Sequence, residues 1–156
     1  MKKAGLLVAS HLVVLLAGVA LGIYLLPILT APMAPSAALV QSIAGQSDFK
    51  GRFRRDLTGS DVLHWGDGEV AVGKQAIALM GKVSPGPDYK LYLVPEFVEN
   101  EAQFLQVKAR SVRVGDIQTF ENFIVPVPTG VDVAQYNTVL VWCETFSEFI
   151  SAAKYR

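Results

Sequence analysis

Only one cysteine occurs in the 156 residues, Cys143, so no disulfide can form within the chain. Histidine is almost as scarce, at two residues, His11 and His64. A closed zinc site needs four ligands, and one Cys with one His beyond the apolar N-terminus does not supply them. No C-x-x-C-H occurs, which excludes covalently attached c-type haem but leaves a non-covalent b-type haem on Cys or His open. The glycines are scattered and form no phosphate-cradling loop. No G-x-S-x-G elbow supports hydrolase chemistry. Charged residues make up only 18% of the chain, with no basic excess, which argues against a nucleic-acid partner. There is no internal repeat.

What is abundant is apolar residues, at 51%, and they crowd the N-terminus. Ala4 to Leu29 carries no charge apart from what His11 can acquire. As a helix rising about 1.5 Å per residue, it crosses a hydrocarbon core of roughly 30 Å. Lys2 and Lys3 hold the N-terminus in the cytoplasm by the positive-inside rule and put the remainder in the periplasm or outside the cell. A signal peptide has a shorter apolar core, about 7–15 residues, so the segment reads as an uncleaved anchor; a cut would fall at Ala34-Pro-Ser-Ala37. His11 sits near the cytoplasmic end, where it can stay neutral. Gly18 and Gly22 have the small-x-x-x-small spacing that lets two anchors approach. The chain thus divides into an anchor over 1–30, an Ala/Pro-rich tether over 31–46 and a folded domain over 47–156.

From Phe49 onward apolar residues alternate and turn signals recur, which predicts an antiparallel β-sandwich or barrel. The clearest hairpin joins Asp61–Gly66 to Glu69–Gly73 through Asp67-Gly68, a type I′ turn signature. It would put Leu63, Trp65, Val70 and Val72 on the core face, with His64 opposite. Further strands are expected at Gln75–Met80, Tyr89–Val94, Phe104–Val107, Gln118–Val125 and Asn137–Cys143, with Pro126 and Pro128 ending or edging the fifth segment's predecessor at Val125. After Cys143 the period changes: Phe146, Phe149 and Ile150 fall at helical spacing, and Thr145-Phe-Ser-Glu148 has capping-box form. A short C-terminal helix is therefore expected.

That places Cys143 where a strand meets a helix N-terminus, whose amides and dipole lower a thiol's pKa. The thiol is a buried small hydrophobe, half of an intermolecular bridge, a redox centre or a ligand. Trp142 beside it lines a cofactor or belongs to the core. His64 is a second ligand, a proton carrier or a solvent-facing strand residue. Met80 is the best further soft ligand for haem or a metal, or else core. Arg52, Arg54 and Arg55 read as a solvated strand face.

From about Phe49 to the C-terminus the sequence resembles the DM-thirteen domain. The matching pieces are Gly51-Arg-Phe53, His64-Trp-Gly-Asp-Gly68 with Glu-Val-Ala-Val72, Gly86-Pro-Asp-Tyr-Lys-Leu-Tyr-Leu93, Phe123-Ile-Val-Pro126 and Val139-Leu-Val-Trp-Cys143. The C-terminus departs from the pattern, with Phe149-Ile-Ser-Ala152 where the family has Phe-Gly then Ala. The resemblance implies an extracytoplasmic β-rich electron-transfer domain whose hallmark cysteine is Cys143, as a free thiol or as a ligand to a group such as haem. The combined expectation is a membrane-anchored redox domain acting through Cys143, with His64 as a second participant and an unidentified redox partner. The alternative is a non-enzymatic binding or adhesion module in which Cys143 is structural.

Overall fold

The structure is a computed structural model, and it describes residues 2–156. It opens with α1, Lys2–Thr30, long and apolar enough to cross a membrane and without a buried residue. After an irregular stretch comes α2, Ala37–Ala44, capped by Ser36, whose hydroxyl accepts from the Leu39 amide.

Eight strands follow: β1 Phe49–Phe53, β2 Gly66–Val72, β3 Ala76–Val83, β4 Tyr89–Val94, β5 Val112–Ile117, β6 Glu121–Pro126, β7 Thr138–Cys143 and β8 Glu148–Lys154. A third helix, α3 Glu101–Val107, lies between β4 and β5. The strands make two four-stranded antiparallel sheets, ordered β1-β2-β3-β6 and β5-β4-β7-β8. Their facing sides form the main core, with Phe53, Val70, Ile77 and Leu79 from one and Leu91, Leu93, Val139 and Val141 from the other.

The second sheet is buried on both faces. Its outer side meets α3 and the Leu57 and Val98 segments in a smaller core around Trp142, Phe104 and Phe149. Hence β7 is buried at all six positions, and its sequence is a continuous apolar run rather than an alternation. On the outer face of the first sheet lies α2, with Val40 1% exposed. Asn122 donates to the Pro35 carbonyl at 3.3 Å and ties down the approach to α2.

Four expectations need correction. No helix forms after Cys143: Glu144–Ser147 is a turn, with Ser147 at φ +54°, and the chain continues as β8. The helical spacing of Phe149 and Ile150 comes from a bulge. Trp142 pairs with Phe149 and Val141 with Ser151, so Ile150 is an extra residue, and two successive apolar side chains reach opposite cores. The helices lie at the N-terminus and between β4 and β5 instead.

The Asp67-Gly68 hairpin does not form either. Both residues lie inside β2, which pairs with β1 and β3. Gly68 and Gly81 face each other with φ of +139° and +159°. A Cβ on Gly68 would come within 2.6 Å of the Gly81 Cα, so the glycine serves close strand approach rather than reversal. Val70 and Val72 are core, whereas Leu63 is 57% exposed and Trp65 stacks under Arg55 at 3.4 Å.

Phe104–Val107 is helix rather than strand. Asn100, the N-cap, accepts from the Gln103 amide at 3.0 Å, and the Gln103 side chain accepts from the amide of the preceding Glu99 at 2.7 Å, which fixes the helix start. Finally, β5 was not anticipated, and the strand expected at Gln118–Val125 is Glu121–Pro126. It is an edge strand ending at Pro126, as a missing N–H requires.

Candidate functional site

Cys143 ends β7, with Cα partners Tyr89 in β4 and Glu148 in β8. Strand alternation turns its side chain toward the main core and sends Trp142 to the opposite face, into the smaller core. Trp142 therefore does not share the surroundings of the thiol. It packs against Phe104 with ring centroids 4.9 Å apart, and the Lys108 ammonium lies 5.1 Å from its ring centre.

The thiol is 2% exposed yet forms part of the wall of a cavity of about 400 Å³. Three segments of the domain build this cavity: Leu63-His64, Pro85-Gly-Pro87 with Tyr89, and the β7–β8 turn with Phe146, Glu148 and Ile150. The remaining wall is α1, through Ala20, Ile23 and Tyr24.

Burial pushes the Cys143 thiol up from its ordinary value, and the backbone amides of Phe146, Asp88 and Thr145 offset only part of that. The anticipated lowering by a helix N-terminus fails for a simple reason. The turn supplies a few amides without a helix behind them, and desolvation outweighs them. At neutral pH the group is a thiol.

Asp61 positions His64. One Asp61 oxygen accepts from the Leu63 and His64 amides, both at 2.7 Å, and the other contacts His64 Nδ1 at 3.0 Å. Burial raises the Asp61 carboxyl, but the His64 ring and these two amides more than compensate and hold it below its ordinary value. The contact fixes the ring and leaves Nε2 without a protein partner among the described residues. His64 is thus loop-borne rather than strand-borne, and it shares the cavity wall with Cys143.

Tyr89 is the residue sequence reasoning missed. It is 3% exposed, and its hydroxyl lies 3.4 Å from Ser84 Oγ. Burial pushes its pKa upward, so it stays a neutral donor. The signal available in the sequence was Gly86, three residues before it. A Cβ on Gly86 would sit 2.4 Å from the Tyr89 ring, so only glycine lets the loop lie on that ring.

Met80 is elsewhere. It lies in β3 and lines a separate cavity with Val40, Ala71 and Ala78, beneath α2. Arg52 and Arg55 pair with Asp67, and Arg54 with Asp56, all on the surface.

Among the described residues no group of three or more His, Cys, Asp and Glu converges as a metal site. A haem also fits poorly. Its propionates need cations, and none of the lining residues described is Lys or Arg. Its thiolate ligand would have to form from a thiol whose burial opposes ionisation.

The chain is thus a helix long and apolar enough to cross a membrane, followed by a small β-sandwich domain with one cavity-facing thiol. A protein-family model described as Electron transfer DM13 matches residues 56–155, and the chain belongs to that family. No curated protein and no solved structure matches the chain.

Proposed function

We propose that the chain is a membrane-tethered electron-transfer domain, held outside the cytoplasm, with Cys143 as its redox-active group. One observation carries this reading: the thiol, at the end of the sheet-on-sheet core, forms part of the wall of a cavity shared with His64 and Tyr89.

The thiolate is the reactive form, so oxidation begins with loss of the Cys143 proton. The His64 imidazole on the same wall is the acceptor, held by Asp61. With an apolar disulfide as oxidant, the sulfur attacks one sulfur of the pair. The old S–S bond breaks, a mixed disulfide forms, and the leaving thiolate takes up the proton. With an organic hydroperoxide, one oxygen passes to sulfur as sulfenic acid and an alcohol leaves. Lys2 and Lys3 set the orientation.

The test exposes the folded full-length chain to cumene hydroperoxide in the presence of dimedone. Adduct at Cys143, absent in Cys143→Ser and weakened in His64→Ala, is expected. A folded chain that never forms adduct, while the unfolded chain does, sinks the reading. That outcome favours the second one, a binding module with Cys143 as core, which the 2% exposure of the residue supports.

A further inference from the structure

The stretch that joins α1 to the sandwich is tied down. Only residues 31–36 separate α1 from α2. Val40 of α2, 1% exposed, packs on the first sheet, and Asn122 holds the Pro35 carbonyl at 3.3 Å. The domain is thereby kept against the end of the long helix. Ile23 and Tyr24 share a cavity with Leu63 and Phe146, and Leu26, Pro27 and Thr30 share another with Pro87 and Phe146.

Those helix positions bracket the membrane boundary. Residues 4–29 carry no charge apart from what His11 can acquire, and a hydrocarbon core takes about 20 helical residues. Placing the excess at one end or the other moves the exit from Ile23 to Leu29. In both limits the exit falls within the stretch that faces the domain. The loops beside it, which carry Leu63 and Phe146, are therefore level with the headgroups, whichever side of the membrane the domain occupies.

The chemistry of these two loops fits that level. Val62, Leu63 and Phe146 are 90%, 57% and 51% exposed. Beyond α2, only Phe97 and Leu105 among the described residues are also large, apolar and exposed. Apolar side chains grouped in this way on a folded domain mark an interaction surface. Asp61, in the same loop as Val62, is satisfied by the Leu63 and His64 amides and by the His64 ring. The loop can approach lipid without a bare charge. Glu148 on the shared cavity wall adds negative charge at this end, so the surface that accepts the loops is zwitterionic rather than anionic.

We propose that the Val62-Leu63 loop and the Phe146 turn dock into the headgroup layer of the bilayer that α1 crosses, which seats the sandwich on the membrane with its Cys143 end down. The inference rests on the membrane tether in the reading above and is independent of any reaction at Cys143.

The test uses the full chain with Cys143→Ser and one new cysteine at a time: Val62→Cys, Phe146→Cys, Lys74→Cys or Leu12→Cys. Each is labelled with bimane and reconstituted in phosphatidylcholine nanodiscs. Lys74 follows the end of β2 remote from His64, and Leu12 lies within α1. The discs carry phosphatidylcholine with a nitroxide on the acyl chain, near its carbonyl end or near its middle. Quenching of about twofold or more is expected at Val62 and Phe146 from the shallow nitroxide, with none at Lys74. A quenched Leu12 probe, with Val62 and Phe146 no more quenched than Lys74, overturns the docking and leaves the tether standing. An unquenched Leu12 probe overturns both. A Val62 probe shielded from aqueous iodide but untouched by nitroxide lipid shows a protein occupant, such as a second copy, and overturns the docking as well.

Discussion

Tyr89 and Cys143 are direct cross-strand partners, at the start of β4 and the end of β7, and both line the cavity that α1 walls on one side. The pairing puts a neutral phenol beside a neutral thiol at the one end of the sandwich that α1 approaches. It also makes the loop before Tyr89 a control point for access to the sulfur.

Gly86→Ala tests that control. The added methyl group would overlap the Tyr89 ring at 2.4 Å, and the ring must move. A loss of about 1–3 kcal/mol in urea unfolding is expected for such overpacking. Alkylation of Cys143 by N-ethylmaleimide should become faster than in wild type. A variant as stable and as slow to alkylate as wild type would show that the loop yields instead.

The raised Cys143 pKa predicts a pH profile. Labelling of the folded chain should keep rising with pH beyond the range where a free cysteine levels off, near 8.5. The sign for stability follows. The folded state holds the proton more tightly, so this contribution is complete below the unfolded pKa and fades as pH climbs through the folded one. Wild type should lose stability relative to Cys143→Ala in alkaline buffer, as measured by Tm.

Acid should loosen the β4–β5 edge. Lys90 contacts Asp88 at 2.7 Å and Asp116 at 3.1 Å, and Arg113 contacts Asp116 at 2.6 Å. Asp88 is held below its ordinary value of 3.8 chiefly by Lys90, and Asp116 by Arg113 and Lys90. A depressed carboxylate stabilises above its unfolded pKa and ceases to as pH falls through the folded one. Tm should therefore drop below about pH 4, with a smaller drop in Lys90→Met.

Trp142 is structural by its position. It is fully buried against Phe104, and its Nε1 has no well-formed hydrogen bond among the described residues, although the indole N–H helps to hold the Glu144 carboxyl below its ordinary value. Trp142→Ala should cost about 3–5 kcal/mol. Trp142→Phe, which gives up only a weak indole N–H contact to Glu144, should cost far less. Equal losses in equilibrium unfolding would mean that this N–H contact is a strong one.

The β-sandwich and the membrane-length helix were legible because both rest on patterns repeated over many residues. Single signals read less well. Thr145-Phe-Ser-Glu148 resembled a cap, but it is followed by a bulged strand that two cores claim from opposite sides. Asp67-Gly68 resembled a turn until Gly81 was found opposite Gly68. Asn100 and Gln103 cap a helix, yet the apolar residues behind them, Phe104 to Val107, also fit a short strand.

Composition alone determined that one thiol is available beyond the N-terminal apolar helix, that no disulfide can consume it within the chain, and that this helix is long enough to span a membrane. Hydrophobic periodicity set the sheet architecture, because burial acts on every residue of a strand. Only the tertiary structure brought His64 and Tyr89 to the wall that holds Cys143 and kept Met80 away. Those neighbours come from different strands and loops, and their meeting depends on sheet order and register, which no local pattern encodes. Burial likewise set the protonation of the thiol, since desolvation is a property of the assembled cavity and not of the residues beside Cys143 in the chain.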